Sequence, residues 1–455
     1  MHRPPMNQST PATHSWRASL RKTTAEIFAG LVGLWIAVAL IKLGNPIILD
    51  SRIETPSGCL EAIFQPWPVS WGYVIFGITF LAGFSVWKWS HQVSPFLLWA
   101  PAAWLVWQCV ASLQRLEPAD AALVKPTLAH FTVCVSAFYL GLFALSRCAS
   151  PRVVWVGILG GWLIVVWMGW RQHFGGLEEM RDYFYSLPNW REQPPELMAK
   201  LASNRIFSTL VYPNALAGVI ILFSPAVIGA ALYAGRTGAW GWRSALLAGT
   251  ALIGALGCLI WSGSKAGWAI ALGLSVLVLL IRVKASRVRL LLLCLLIAAG
   301  VGGFWLRYRG YFERGATSVS ARFDYWDAAL SNVRERPWVG SGPGTFMNVY
   351  RRLKSPTSEM TRLVHNDYLE QATDSGVLGG VLFVVVVAGS LWVGYRGIQG
   401  NWIRLGVWLG VLGVSVQSLF EFGLYVPALA WPWFLGMGWL LGHGLKTVDK
   451  GSGSS

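Results

Sequence analysis

The sequence predicts an all-α protein that crosses a membrane many times and carries a large, partly helical loop on one side. Three observations predict this fold class: 54% of the 455 residues are hydrophobic, only 13% are charged, and the mean hydropathy is +0.49. Soluble domains carry about 25% charged residues, so the charged fraction is roughly half of the usual value. This composition excludes a soluble globular enzyme, a disordered chain and a coiled coil.

The individual helices are predicted from apolar runs, because a bilayer core of about 30 Å needs about 20 mostly apolar residues per helix. Buried helices of a soluble domain would imitate one or two such runs, but not a series along the whole chain. About twelve runs recur, near residues 27–46, 71–88, 95–113, 127–146, 153–170, 211–234, 244–262, 266–282, 290–306, 376–395, 404–421 and 427–445.

The distribution of Lys and Arg predicts the orientation, because the cytoplasmic loops of membrane proteins are enriched in these residues. The chain holds 37 Lys and Arg against 21 Asp and Glu, which gives a net charge of +16. With the N-terminal tail in the cytoplasm, all seven inside segments are basic, and their only acids are Glu26 and Asp449. We therefore expect both termini inside, and we read the charge as a signal of topology rather than of a nucleic-acid partner.

These spans divide the chain into five predicted segments. Loops longer than about 15 residues are usually functional in a compact protein, so the two long outside loops are of most interest. The final Gly-Ser-Gly-Ser-Ser is typical of a tag remnant. The segments are a cytoplasmic tail at 1–25, nine transmembrane helices at 26–306 with an outside loop at about 171–210, a large outside loop at 307–375, three helices at 376–445, and a cytoplasmic tail at 446–455.

The second outside loop contains the clearest candidate for chemistry. Its segment 363–371 reads Leu-Val-His-Asn-Asp-Tyr-Leu-Glu-Gln, in which Asn366 or Asp367 is suited to cap a helix. His365 would then lie where a polar loop becomes a helix, and a histidine there can take a proton from an attacking hydroxyl near neutral pH. The residues alone leave open a capping or interfacial role for His365, and His173 is its nearest rival.

Three cations at the outside ends of spans form a second candidate. Arg205 precedes the Pro-Asn start of the sixth span, Lys265 lies in a Ser-Gly-Ser-Lys hairpin, and Arg322 begins Arg-Phe-Asp-Tyr-Trp-Asp. A cation at such a depth is costly unless it is paired or used. Three on one face are able to bind a phosphate-rich group, although snorkelling anchors or ion pairs with Asp324 and Asp327 are the alternative.

Three other patterns are not expected to carry chemistry. The Gly-rich turn 340–344 lacks the Gly-Lys-Ser/Thr end of a phosphate loop. The six Cys residues include no Cys-x-x-Cys pair and lie mostly in or beside apolar runs. Asp324 and Asp327 share one helical face, but no further carboxylate clusters with them. We therefore predict neither a metal ion nor a cofactor.

The order of these motifs resembles the O-antigen ligase and Wzy-type polymerase superfamily of bacterial inner-membrane glycosyltransferases. The shared features are an Arg before a Pro-Asn-entered span, a Ser-Gly-Ser-cation hairpin, Arg-x-x-x-Trp before a Gly-rich turn, and His-Asn-Asp-Tyr-Leu. The resemblance covers roughly residues 200–440. The His-Asn-Asp-Tyr-Leu block is fairly specific, and the other three features gain weight from their order and common side.

The resemblance implies a GT-C-like fold with its active site on the periplasmic face. It further implies an undecaprenyl-pyrophosphate-linked glycan as donor, lipid A–core or another glycan as acceptor, and transfer without a metal ion or nucleotide sugar. The family's histidine falls on His365, and its arginines fall on Arg205 and Arg322. The family usually has Arg where this chain has Lys265, which keeps the charge but loses bidentate geometry.

An O-antigen ligase is the favoured interpretation, with a Wzy-type polymerase as the alternative. Transfer to a protein, as by a protein O-oligosaccharyltransferase, is a further and less favoured possibility. A polysaccharide transporter is less favoured because the mid-span positions are nearly uncharged while ionisable groups cluster outside. Glu421 is expected to pair with a cation or to contact acceptor sugar, with a structural role favoured. The candidates for a supporting role at the site are Trp326, Asn366, Asp367, Tyr368 and Glu421.

Overall fold

The fold is described from a computed structural model. Within the described ranges the regular secondary structure is helical, without strands. The first ten residues of the predicted N-terminal tail and the last three of the predicted tag remnant lie outside these ranges. The structure describes residues 11–89, 94–114, 118–148, 152–188, 190–192, 198, 201–236, 241–284, 286–313, 317–356, 358–398 and 400–452.

The described part of the chain contains a series of α-helices. They are α1 (Pro11–Lys42), α2 (Cys59–Phe64), α3 (Val69–Gly83), α4 (Pro95–Ser112), α5 (Pro118–Phe143), α6 (Arg152–Arg171), α7 (Leu177–Ser186), α8 (Pro213–Arg236), α9 (Gly241–Trp261), α10 (Lys265–Arg282), α11 (Ser286–Glu313), α12 (Thr317–Glu335), α13 (Phe346–Leu353), α14 (Asp367–Arg396), α15 (Trp402–Gln417) and α16 (Pro427–Ser452).

The helix lengths match those of a protein embedded in a bilayer. Nine stretches within the described ranges are long and apolar enough to cross a membrane, and α3 and α15 are apolar but shorter. Each of the twelve predicted apolar runs overlaps a helix, the last of them α16. The prediction of an all-helical, multi-pass membrane protein is therefore confirmed. The number of twelve spans stays a prediction.

The centre of the bundle is built from helices that approach one another closely. α16 packs against α5 and α14, and α8 packs against α15 and α9. Glycines make these approaches possible: a Cβ added at Gly438 would lie 1.9 Å from the carbonyl oxygen of Phe138, and one at Gly410 would lie 2.0 Å from that of Leu222. Small residues at helix crossings serve this purpose throughout membrane proteins.

The α10–α11 hairpin lies at the edge of the bundle. None of the residues in the most apolar stretch of α11 is buried by the protein, whereas 72% of the corresponding stretch of α8 is. Since this stretch of α11 has a mean hydropathy of 2.1, its exposed side chains suit contact with lipid. The hairpin is therefore joined to the remainder mainly along α10, which packs against α15 and α8.

The predicted loop at 307–375 is folded against the bundle rather than extended from it. Besides the end of α11 it contains α12 and α13, which bury a small apolar cluster together with Val364. In the Gly-rich turn, the N–H of Ser341 donates to the carbonyl of Thr373 at 3.0 Å and the N–H of Gly344 donates to Asp374 Oδ2 at 2.8 Å. These bonds seat the turn on the first turns of α14.

α14 begins at Asp367, which is nine residues before the predicted start of that span at 376. The reason is the Asn366 cap, whose side chain accepts the N–H of Leu369 at 3.0 Å. The helix is kinked at Ser375 and Gly376, where Gly376 has φ +73. The two turns before the kink are almost wholly buried and polar, so they belong to the site rather than to the lipid-facing part of the span.

Candidate active site

His365 is held in an unusual backbone conformation at the start of α14. Its φ is +58, in the left-handed region that non-glycine residues seldom occupy. The preceding N–H, of Val364, donates to Glu370 Oε2 at 2.6 Å, and the following residue caps α14. Such conformations persist where the surroundings enforce them, and they concentrate at functional sites. The imidazole position is therefore fixed by the buried first turn of α14.

Aromatic rings flank the imidazole. Tyr325 on α12 is stacked on it with the ring centroids 5.7 Å apart, and Phe422 meets it edge-on at 4.8 Å. Burial raises the pKa of Tyr325 to about 12, so its phenol stays neutral near pH 7. The side chain of His365 is 25% exposed, which leaves it open towards a cavity.

Asp367 and Tyr368 join the start of α14 to the segment that follows α15. The N–H of Asp367 donates to the carbonyl of Ser418 at 2.7 Å, and its Oδ2 accepts the N–H of Leu424 at 3.0 Å. The hydroxyl of Tyr368 donates to the carbonyl of Ser415 at 2.8 Å. The bonds of Asp367 fix the segment 418–424 and the bond of Tyr368 fixes the end of α15, so these two residues, predicted as supports, act on the backbone around the site.

Glu421, within that segment, lies between the predicted base and the predicted arginines. Its Oε1 accepts hydrogen bonds from Arg322 Nη2 at 2.5 Å and from Asn214 Nδ2 at 2.7 Å. Its Oε2 lies 3.6 Å from His365 Nδ1. The carboxylate is only 8% exposed and Arg322 is 18% exposed, so this ion pair is much less screened than a surface pair.

Arg205 joins the same network through one intermediary. Its Nη2 donates to Asn214 Oδ1 at 2.8 Å and its Nε donates to the carbonyl of Ser262 at 2.7 Å. Burial lowers the pKa of Arg205, while the negative charge of Glu421 acts in the opposite direction. Asn214 thus connects Arg205 to Glu421, and the structure brings together Arg205, Arg322 and His365 around one carboxylate.

Two side chains from the first outside loop position the backbone on either side of Arg205. Arg181 donates to the carbonyls of Leu201 at 2.8 Å and Ser203 at 3.0 Å. Gln172 Oε1 accepts the N–H of Ser208 at 2.6 Å. Because these two side chains bind the backbone on either side of Arg205, they help to determine the position of its guanidinium group.

Lys265 is held differently from the arginines. It is the first residue of α10, whose N-cap Ser264 accepts the N–H of Gly267 at 3.2 Å. Its Nζ lies 3.7 Å from the ring centroid of Tyr311 and 5.3 Å from that of Tyr308, both at the end of α11. These are cation–π contacts, which attract the ammonium to the ring faces but do not direct it as hydrogen bonds direct a guanidinium.

Trp326 is the one predicted supporting residue that lies away from the carboxylate network. It packs, partly buried, against the apolar cluster of α12 and α13, and its ring meets Phe323 edge-on at 5.6 Å. Its neighbour Tyr325 is the residue that touches His365. The Trp of Arg-x-x-x-Trp therefore contributes to the seating of α12 rather than to the wall of the site.

A cavity of about 230 Å³ lies beside His365, Glu421 and Arg205. Asn214 also lines it, together with apolar side chains such as Val426. Neither Lys265 nor Arg322 is among the lining residues. Among the described residues, no group of three or more His, Cys, Asp and Glu side chains is placed to hold a metal ion.

The arrangement also contains a residue to which the sequence analysis gives no role, Asn214. Its only sequence signal is its place directly after Pro213, at the start of a span and nine residues after Arg205. Its amide donates to the carboxylate of Glu421 and accepts from the guanidinium of Arg205. This linking role becomes visible only in the folded structure, where the three residues meet.

The helices and the buried charged cluster at their ends define a multi-pass membrane protein with a polar site. Residues 249–384 match the family model Wzy_C, described as O-antigen ligase. This match confirms the predicted resemblance to the O-antigen ligase and Wzy-type polymerase superfamily. The matched segment includes Lys265, Arg322 and His365, whereas Arg205 and Glu421 lie outside it.

One relative among curated proteins is a Haemophilus influenzae protein described as uncharacterized. It is 32% identical to this chain over 76 residues, which make up 16% of this chain and 19% of the relative. The chain therefore matches about a fifth of the relative's length, and this likeness carries no statement about activity.

Proposed function

We propose that this protein is a glycosyltransferase of the bacterial inner membrane that takes a glycan from an undecaprenyl-pyrophosphate-linked donor. The acceptor is a hydroxyl group, and the favoured reaction is that of an O-antigen ligase, which joins O-antigen to lipid A–core. The observation that carries this proposal is the meeting of Arg205, Arg322 and His365 around Glu421, in a chain that matches the O-antigen ligase model.

The proposed chemistry is a displacement at the anomeric carbon of the donor. The acceptor oxygen forms the new glycosidic bond, the bond from that carbon to the pyrophosphate oxygen breaks, and undecaprenyl pyrophosphate leaves with the bonding electrons. His365 accepts the proton of the acceptor hydroxyl as general base. Negative charge grows on the departing oxygen, and cations already in place lower the barrier to that change.

Arg205, Lys265 and Arg322 are the proposed donor-binding residues. They supply positive charge of the kind that a divalent ion provides in other phosphoryl sites, so we propose a transfer that needs neither a metal ion nor a nucleotide sugar. The two arginines are partly buried, which strengthens their attraction for a pyrophosphate in comparison with exposed residues. Asn366, Asp367 and Tyr368 support the geometry from the start of α14.

The proposed orientation places this site on the periplasmic face and both termini in the cytoplasm. It is supported by the Lys and Arg of the seven basic segments. Labelling of single cysteines introduced at Glu179 and at Lys284 with an impermeant maleimide tests it in whole cells. Labelling at 179 alone agrees with the proposal, and labelling at 284 alone contradicts it.

Reconstitution of the purified protein with a purified lipid-linked glycan tests the reaction itself. One reaction contains lipid A–core and the other omits it. Glycan attached to lipid A–core only in the first reaction identifies a ligase, whereas longer lipid-linked chains in the second identify a polymerase. The absence of both products contradicts the proposed class of enzyme.

A further inference from the structure

The carboxylate of Glu421 lies between the proposed donor-binding arginines and the proposed base, His365. Oε1 is bound by Arg322 and, through Asn214, is connected to Arg205, while Oε2 faces His365. The contacts differ in quality. The distance to Arg322 is that of a charge-assisted hydrogen bond at 2.5 Å, whereas the 3.6 Å to His365 Nδ1 exceeds hydrogen-bond distance.

Two buried nitrogens on either side of Glu421 have no hydrogen-bond partner among the described residues. They are Arg322 Nε and His365 Nδ1. A buried donor without a partner costs about 1–3 kcal/mol, so both nitrogens favour any rearrangement that supplies an acceptor. A pyrophosphate beside Arg322 supplies one acceptor, and a carboxylate that moves closer to His365 supplies the other.

A carboxylate and a pyrophosphate compete for the same guanidinium. Both are anions that bind arginine through its N–H groups, and two anions on one cation repel each other. Donor bound at Arg322 therefore weakens the bond from Arg322 to Glu421. Closing the gap to His365 needs a shift of only about 0.8 Å to reach an ordinary N–H to oxygen distance.

The backbone around Glu421 limits the rearrangement to its side chain. Ser418 and Leu424, on either side, are bound by Asp367 at the start of α14. The carboxylate therefore stays within reach of Arg322 and His365 whichever of them it contacts more closely.

We propose that Glu421 is a positioning residue that exchanges partners when donor binds. In this exchange pyrophosphate replaces Glu421 on Arg322, and Glu421 closes onto His365 Nδ1. The carboxylate then holds the N–H on Nδ1, leaves the other ring nitrogen free to accept the hydroxyl proton, and stabilises the imidazolium that forms. The inference rests on the proposed function, since it assigns pyrophosphate to Arg322 and proton transfer to His365.

The exchange predicts opposite changes in two kinetic constants for Glu421→Gln. The amide no longer competes as an anion for Arg322, so the KM for donor is expected to fall by about 3- to 10-fold. The amide also no longer stabilises the imidazolium, so kcat is expected to fall by about 30- to 100-fold, up to the lower limit of what a general base itself contributes. A purely structural role would raise KM or lower the amount of folded protein instead.

The pH profile supplies a second readout. Loss of the negative charge disfavours the protonated imidazole, so the acidic limb of kcat against pH is expected to move to lower pH in Glu421→Gln. The other ionisable groups around the site are unchanged in this variant. They are Asp367 and Glu370 on α14, Tyr325 and Arg322 on α12, and Arg205 and Tyr212 in the cavity wall.

The matched control is Glu179→Gln, which removes the carboxylate of an exposed ion pair with Arg171. It is expected to leave KM, kcat and the pH profile unchanged. Glu421→Asp keeps the charge on a shorter side chain and is expected to restore the pH profile and part of kcat. Binding of undecaprenyl pyrophosphate alone, measured by thermal shift, is expected to be about 3- to 10-fold tighter in Glu421→Gln.

The outcomes separate this inference from the proposed function. An active wild-type enzyme with unchanged kcat, KM and pH profile in Glu421→Gln overturns the inference and leaves the proposed function standing. A raised donor KM in Glu421→Gln, or an unchanged pH profile in both Glu421 variants, overturns it as well. A wild-type protein that yields neither ligase nor polymerase product overturns the proposed function, and the inference falls with it.

Discussion

The site has two sides on which positive charge is held in different ways. On the arginine side, which comprises Arg205, Arg322 and their partners Asn214 and Glu421, each guanidinium donates directed hydrogen bonds to protein oxygens. On the lysine side, Lys265 lies over the faces of Tyr308 and Tyr311. The first side includes Asn214 on α8 and Arg322 on α12, whereas the second lies in the α10–α11 hairpin at the edge of the bundle.

The arginines and the lysine carry the same charge, but the protein fixes the direction of the arginines more strictly. Hydrogen bonds fix the direction of an arginine, so a change of shape there disturbs the whole network. A lysine over an aromatic face keeps three free donors and is attracted mainly as a point charge. We therefore expect the arginine side to determine where a pyrophosphate binds and the lysine side to adjust how strongly it binds.

The largest expected effect concerns the residue that the arginine side faces. His365→Ala removes the proposed base and is expected to lower kcat by about 10³-fold, within the range of acid–base catalysis. His173→Ala is the matched control, because it also removes an imidazole, one that is stacked on Trp261 with centroids 3.9 Å apart. Transfer of glycan by folded His365→Ala at the normal rate would contradict the assignment of the base.

Substitution of Arg322 by Lys tests whether the geometry of the cation, and not only its charge, matters on the arginine side. Arg322→Lys keeps the charge but loses the planar guanidinium whose Nη2 binds Glu421, so kcat/KM for donor is expected to fall by about 30-fold. Arg322→Ala is expected to cost about 10²-fold, and acceptor use should change less than donor use in both variants. Equal activity of the Lys variant and wild type would remove the distinction between the two sides.

The sequence predicts the spans and the candidate residues of both sides, but not which of these residues contact one another. Apolar runs and basic loops predict the spans, and the motif order predicts the resemblance that the Wzy_C match over residues 249–384 confirms. The three cations and His365 are recognised as candidates from residue type and position. The pattern of apolar residues, however, describes one helix at a time and does not predict which span ends lie next to each other.

Glu421 and Asn214 illustrate what the sequence does not reveal. Glu421 lies 99 residues from Arg322 and 207 residues from Asn214, so no local pattern links them. Their meeting depends on how α8, α12 and the segment after α15 pack. The early start of α14 is also a tertiary effect, because its first polar turns are stable only where other elements bury and pair them.

The lysine side is expected to respond more weakly to substitution. Lys265→Met removes the charge and is expected to raise the KM for donor by about 10-fold, because one of three cations is lost. Lys265→Arg is expected to stay within about 3-fold of wild type, since an arginine also stacks on tyrosine rings. Steady-state kinetics with varied donor measure both, and a loss in Lys265→Met as large as in Arg322→Ala would make the two sides equivalent.

The smallest expected effect concerns the support of Arg205 from the first outside loop. Arg181→Met removes the hydrogen bonds to the carbonyls of Leu201 and Ser203 and preserves most of the side-chain volume. The backbone before Arg205 is then less restrained, so the KM for donor is expected to rise by about 3-fold with kcat nearly unchanged. The double variant with Lys265→Met is expected to show the product of the two single effects, because Arg181 acts through Arg205 and not through Lys265. A strongly non-multiplicative result would mean that the two sides share a support, and that they are one unit rather than two.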